Sequence, residues 1–310
     1  MKPHSKWITY VVPAEWSNRT VAEVLKGPLL LSNRMINRLT RSRGFRLNGT
    51  MPWLNRVLQE GDRLQVAVRP REKADLEPEP VPFGTVWEDE DLIVIDKPAG
   101  INVHPVKPGD TGTLAHGLLH RWKEQGFEGK VRPVHRLDRY TSGLLLVAKY
   151  AYAHQLMDRE LRNRRIKRHY VAIVQGRMGN GEHPSEGTID APIGRDSSHS
   201  LRRKVTPSGD HAVTHYRVLS RTDKATLVHA ELETGRTHQI RVHFAHLGHP
   251  LFGDTLYGGP ASEIRRQALH AFRLAFTHPL TGAKINITAP LPEEMDRLLR
   301  HLELEKPEEV

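Results

Sequence analysis

Apolar and polar positions follow two rhythms along this chain. Near the N-terminus the rhythm is helical. Val21 to Leu30 predicts a short helix broken near Gly27-Pro28, and Ser32 is placed to cap a second helix running to about Arg43, where Gly44 stops it. On that second helix Met35, Ile36 and Leu39 can face a core, while Arg34, Arg38 and Arg41, at i, i+4 and i+7, share the outer face. Asn48-Gly49 marks a tight turn, and Glu60-Gly61-Asp62 leads into a closing strand, Leu64 to Val68. Beyond residue 83 short apolar runs predict strands at Leu92–Ile95, Leu144–Ala148, Tyr170–Val174, Ala212–Leu219, Thr226–Leu232 and Ile285–Thr288. Helical spacing recurs at Thr113–Glu124, Tyr152–Arg164, Thr237–Leu247 and Pro292–Leu302. Strands outnumber helices without strict alternation, so an α+β domain with a mixed, mostly antiparallel sheet is expected.

Between the two regions, Arg69 to Pro82 holds four prolines among mixed charges and reads as a semi-rigid linker. The expected organisation is a small α+β module at 1–69, a linker at 70–82 and a larger domain at 83–310, with an acidic, frayed end from Glu303.

Charge sharpens this picture. The chain carries a formal net charge of +10, which points to a polyanion, and nucleic acid fits better than a membrane because no apolar run approaches spanning length. From Lys26 to Gln59 seven Lys or Arg residues occur without one Asp or Glu. A charge run is usually a solvated face, but a run this long with no compensating acid favours a phosphate-reading surface, for which Arg34, Arg38, Arg41 and Arg43 are the candidates. There are no cysteines, so disulfides, thiol nucleophiles and cysteine-bound zinc are excluded. The opening residues lack a secretory apolar region, and a cytoplasmic protein is expected.

The most informative string is His135-Arg-Leu-Asp-Arg-Tyr-Thr-Ser-Gly-Leu-Leu-Leu-Val-Ala-Lys149. Asp138 lies between Arg136 and Arg139, on a loop feeding an apolar strand, where a rigid scaffold can hold it open to substrate. Flanking guanidiniums favour the charged, nucleophilic form of a carboxylate. This string resembles the signature of the RluA-type RNA pseudouridine synthases, with Tyr140 a bulkier residue than the family pattern suggests. The resemblance implies that Asp138 is the nucleophile, that Arg136 fills the position vacated by a flipped uridine, and that Arg139 and the basic stretch 162–168 hold phosphates.

Two further strings extend the resemblance. In Arg168-His-Tyr-Val-Ala-Ile-Val-Gln-Gly176, Tyr170 matches the tyrosine that stacks on the target uracil and could take the carbon 5 proton, and Arg168 stands where lysine is usual. In Leu232 to Asp254, Thr237 is placed to cap a helix with an apolar stripe of Ile240, Phe244 and Leu247, leaving Arg241 off the stripe and unburied. By resemblance Arg241 pairs with Asp138. Asp89 to Gly100, a strand ending in Lys-Pro-Ala-Gly, also matches the family, in a structural role set by Pro98 and Gly100. Residues 18–68 resemble the alpha-L RNA-binding module of a ribosomal protein.

Together these imply an isomerase that converts uridine to pseudouridine without metal, redox group or other cofactor. Large-subunit ribosomal RNA is the favoured partner and transfer RNA the runner-up, acted on by a monomer. The attack on ribose or on uracil carbon 6 stays open. Three other readings compete. His238, His243, His246 and His249 crowd together, but their spacing scatters them around a helix and lacks the glutamate of a zinc protease, so capping and RNA contacts are expected of them. A carboxylate-pair glycoside hydrolase would need a second acid, with Glu233 and Asp254 the only candidates near the third string. A catalytically idle RNA-binding assembly factor would have no reason to keep Asp138, Tyr170 and Arg241 together.

Overall fold

In the computed structural model residues 6–179 and 183–306 are described, so the opening residues 1–5 and the last acidic residues, 307–310, lie outside them. β1 (Ile8–Val11), α1 (Val21–Lys26), α2 (Asn33–Arg41), β2 (Phe45–Leu47) and β3 (Arg63–Val66) make a small module whose antiparallel strands run in the order β1-β3-β2. α1 ends at its Gly27 cap, where the break was expected, and a capping box opens it: Thr20 Oγ1 accepts from Glu23 N–H, and the Glu23 carboxylate accepts from Thr20 N–H at 2.7 Å. Ser32 caps α2 through Met35 N–H, as expected. The helix exit differs. α2 ends at Arg41, and Arg43 rather than Gly44 adopts the left-handed conformation, with φ 50°. Gly44 serves close packing instead, since a Cβ there would lie 2.6 Å from Leu39.

The proline-rich stretch is strapped down by ion pairs at several points. Arg69 donates to Asp91, Arg132 to Glu72, and Lys130 to Asp75. Next to it, the hydroxyl of Tyr152 donates to Leu29 O at 2.6 Å, and Tyr152 and Leu156 bury themselves in the core of the small module. Hydrogen bonds and apolar burial therefore join the two regions.

The larger region consists of β4 (Gly84–Glu88), β5 (Leu92–Lys97), α3 (Leu114–Glu124), β6 (Arg132–Pro133), β7 (Ser142–Ala148), α4 (Ala151–Arg162) and β8 (Lys167–Gln175). It continues through β9 (Glu186–Asp190), β10 (Ile193–Arg195), β11 (Arg203–Val205), β12 (Val213–Arg221), β13 (Ala225–Leu232) and α5 (Gln239–His246). β14 (Leu269–Thr277), β15 (Lys284–Thr288) and α6 (Glu293–His301) complete it. A ten-stranded sheet runs β4-β5-β7-β14-β8-β13-β12-β9, with β15 beside β14 and β6 beside β7. Its pairings are antiparallel except β7 with β14, which is parallel over Ser142–His270 and Gly143–Ala271. The α+β, mostly antiparallel expectation agrees with this sheet.

Burial on both faces explains the continuous apolar runs. Ile93, Ile95, Leu145 and Val147 pack with Leu114, Leu118 and Trp122 of α3, while Leu92, Val94, Leu144 and Leu146 pack with Ala153 and Met157 of α4. Val171 and Ile173 meet Met295, Leu298 and Leu299 of α6. Each such aliphatic side chain contributes about 1.5–3 kcal/mol on burial. Beyond α6, Leu304 is buried and Glu305 N–H donates to Ser220 Oγ at 2.9 Å, so residues 303–306 are docked rather than frayed. At the mouth of β7, Gly143 has φ 109°, and a Cβ there would sit 2.3 Å from Ala271 O. Only glycine lets β14 come that close to the loop carrying Asp138.

Candidate active site

Asp138 sits on the turn into β7, its side chain 19% exposed, with Thr141 N–H donating to its carbonyl at 3.1 Å. The guanidinium that meets its carboxylate is Arg241, whose Nη1 donates to Oδ2 at 3.2 Å. Neither flanking arginine does so. Arg136 and Arg139 are both exposed, and Arg139 turns away, its Nε donating to Gly100 O and its guanidinium lying over the Tyr140 ring.

Arg241 is buried, contrary to the expectation from the apolar stripe of α5. A buried guanidinium needs a counter-charge, and Asp254 provides it in a fork: Nε donates to Oδ2 at 2.6 Å and Nη2 to Oδ1 at 2.8 Å. The two carboxylates hold the Arg241 pKa above its ordinary value against the opposing effect of burial. Tyr257 closes the other side, its ring 5.0 Å below the guanidinium. Its hydroxyl contacts His238 Nδ1 at 2.8 Å and accepts from Arg203 N–H. His238 Nε2 lies 3.9 Å from Asp138. Burial pushes the His238 pKa down, so it stands beside Asp138 chiefly as a neutral ring.

The helix carrying Arg241 starts later than expected. Thr237 does not cap it. His238 occupies the cap position in the left-handed region, with φ 60°, and α5 begins at Gln239. The Gln239 side chain anchors that end, accepting from Arg236 N–H and donating to Val213 O and Thr214 Oγ1.

Tyr170 lies on β8 with its side chain buried. Burial raises its pKa, Arg168 opposes and Asp138 adds to the rise, which places the phenol within electrostatic reach of Asp138. Arg168 is buried and donates to Leu232 O and Thr234 O, tying β8 to the end of β13. The rest of the basic stretch is already paired: Arg162 with Asp158, Arg164 with Glu233, Arg165 with Glu160, and Lys167 with Glu231.

Lys97 is a residue the sequence reading left structural. Its ammonium is buried and donates to Pro98 O, Ile101 O and Arg139 O, fastening the Lys-Pro-Ala-Gly turn to the loop carrying Asp138. Burial, with help from Arg266, lowers its pKa to about 7 against the pull of Asp138 and Asp96. Arg266 straps the same loop from the other side, donating to Tyr140 O and Ser142 Oγ.

The remaining candidates separate from this centre. Arg34, Arg38, Arg41 and Arg43 are exposed on and after α2. His243 is buried between Thr214 Oγ1 and Ala191 O, and His249 contacts Gln175 O, so the crowded histidines serve different neighbours. Glu233 pairs with His215 and Arg164, and both Asp254 oxygens are taken by Arg241. Neither is free to act as the second acid of a hydrolase.

The site therefore pairs one partly exposed carboxylate with one buried, clamped guanidinium beside a buried tyrosine. Residues 91–246 match the RNA pseudouridylate synthase family. The chain belongs to that family. Residues 8–64 of the synthase match the N-terminal domain of the RluD ribosomal pseudouridine synthase. A Bacillus subtilis protein described as an uncharacterized RNA pseudouridine synthase, YhcT, is 39% identical over 97% of this chain and 99% of its own. The ribosomal large subunit pseudouridine synthase D of Nitrosomonas europaea is 44% identical over 72% of this chain and 66% of its own. Among solved structures, human RNA pseudouridylate synthase domain containing 4 is similar with a TM-score of 0.58 and 25% identity, covering 72% of this chain and 94% of that one. The synthase is an isomerase, and the reading as a catalytically idle binding factor falls away.

Proposed function

We propose that this synthase isomerises uridine in large-subunit ribosomal RNA, with Asp138 as the nucleophile. The observation that carries the reading is the Asp138–Arg241–Asp254 chain, which leaves one carboxylate partly exposed while its guanidinium partner is held by a second, buried acid. Arg241 binds Oδ2, so among the described residues Oδ1 is the oxygen left to attack. Taken at the ribose, Oδ1 bonds to C1′ as the N1–C1′ bond breaks and its electron pair leaves on N1; the uracil turns, and C5 bonds to C1′ as the bond to Asp138 breaks. The C5 proton leaves to solvent and N1 is protonated.

The target uridine must leave its stack to reach this site. Tyr170 offers a ring on which the uracil can lie, and exposed Arg136 can fill the vacated place. Arg34, Arg38, Arg41 and Arg43 would hold RNA remote from the reacting base. The ribosomal substrate is supported by the large-subunit synthases of Nitrosomonas europaea and Xanthomonas campestris, 44% and 40% identical to this chain.

The test is release of tritium from RNA labelled at uracil carbon 5, by wild type and by Asp138→Asn, on unmodified ribosomal and transfer RNA separately. Release from ribosomal RNA by wild type alone is expected. Release by Asp138→Asn would remove the nucleophile assignment, and release from transfer RNA only would move the substrate.

A further inference from the structure

We infer that the cleft between α2 and the catalytic domain is a composite seat for the RNA sugar-phosphate backbone, held closed to it by Glu72 until RNA displaces that side chain. This rests on the reading that RNA is the substrate. The cleft encloses about 1090 Å³, and its walls come from three separate parts of the chain. Arg34, Arg38 and Arg41 enter from α2, Lys130 and Arg132 from the start of β6, and Glu72 from the strap between the two regions. That volume lies just above the about 300–1,000 Å³ range of small-ligand sites, room for a stretch of chain rather than a single ion.

Five cations line this cleft, and Glu72 is the one acid among its lining residues. Like charges facing each other across a cleft repel unless a counter-charge lies between them. Glu72 supplies part of it, accepting from Arg132 at 2.7 Å and lying 3.5 Å from Arg38. Among the described residues it is thus the one side chain bonded to both walls. Lys130 is engaged at its edge by Asp75, at 3.1 Å. Arg34 and Arg41 have no ion-pair partner among the described residues. Glu72 and Asp75 together still leave a surplus of three positive charges, whereas a run of phosphates would match it along the whole length of the cleft. The module wall is drawn from the segment Lys26 to Gln59, which contains no acid at all.

Two consequences follow. The small module supplies only one wall of the seat, because Lys130 and Arg132 of the catalytic domain complete it. Glu72 competes with RNA for Arg38 and Arg132, so removing its charge should strengthen binding, the reverse of what loss of a structural ion pair would do.

The experiment measures filter binding of an unmodified bacterial large-subunit ribosomal RNA transcript across a salt series. It compares the full-length wild type with Glu72→Gln, Arg132→Gln and the double variant, each checked by thermal melting. Glu72→Gln should bind about threefold to fivefold tighter at low salt, the size of a weak competing ion pair. Arg132→Gln should bind more weakly, with its salt slope shallower by about 1, and Arg132→Lys should recover the slope. In the double variant the gain from Glu72→Gln should shrink. Glu72→Gln binding no tighter than wild type, or an unchanged slope in folded Arg132→Gln, would overturn the seat even while tritium release continued. The same would hold if poly-glutamate, and not RNA, gained affinity on Glu72→Gln. Absence of both binding and tritium release in wild type would instead remove the substrate reading beneath it.

Discussion

Replacing Asp254 with asparagine tests the clamp on Arg241 most directly. Asparagine keeps the shape but removes the charge, and its amide group turns a donor towards one guanidinium N–H. Breaking a buried ion pair from one side costs about 3–5 kcal/mol. Arg241 keeps Asp138 at 3.2 Å, so the low end, about 3 kcal/mol, is the reasoned figure. At about 2–4 °C per kcal/mol for a domain of this size, the melting temperature should fall by roughly 6–12 °C. If the same energy is lost from the transition state, turnover should fall about 100-fold. Thermal melting and single-turnover tritium release read the two effects separately. A double-mutant cycle then asks whether Asp254 acts through Arg241: adding Asp254→Asn to Arg241→Met should cost little more than Arg241→Met alone. Asp254→Asn with wild-type melting and turnover, or full additivity in the cycle, would refute the clamp.

Other outcomes follow from the same structure. Burial holds the His135 and His270 pKa values down to about 3 and about 4, below the ordinary 6.5. The unfolded chain therefore takes up protons that the folded chain refuses as pH falls below 6.5. Stability is full above that value and should drop towards pH 4 by up to about 1.4 kcal/mol per pH unit for each histidine, read as a falling urea midpoint. A flat midpoint between pH 6.5 and 5 would contradict this. Lys97→Met should leave three carbonyls without their donor and lower turnover more than RNA affinity, and wild-type turnover should decline towards that of the variant as pH rises through about 7 and the ammonium is lost. Unchanged turnover in Lys97→Met would remove the strap from the mechanism. Gly143→Ala should destabilise the fold by about 3 kcal/mol, since its Cβ would meet Ala271 O at 2.3 Å in a left-handed backbone, and a melting temperature near wild type would show that β14 can retreat.

Local chemistry made much of this protein legible from its residues alone. The apolar runs of β5, β7, β8 and β13 and the helices α3, α4 and α6 lie where their spacing put them, because buried strands and amphipathic stripes are written in neighbouring side chains. The meeting of Asp138 with Arg241, 103 residues apart, was legible only through the family strings around them. β14 was missed because His270 and Arg273 interrupt its apolar run, yet it is the strand that brings Ala271 against Gly143. Which cation meets Asp138 was likewise beyond local reading, since Arg136 and Arg139 are nearer in sequence but neither makes the ion pair, and Arg139 is taken up by Gly100 O. Asp254 stood in the third string and was weighed only as a rival acid, although a buried arginine 13 residues earlier needed such a partner. The burial that creates this need is a property of packing, as are the straps from Lys97 and Arg266 and the seat that joins α2 to β6. Residue order determined the elements and the reacting carboxylate, and tertiary contact decided its counter-charges, because a charge finds its partner through space rather than along the chain.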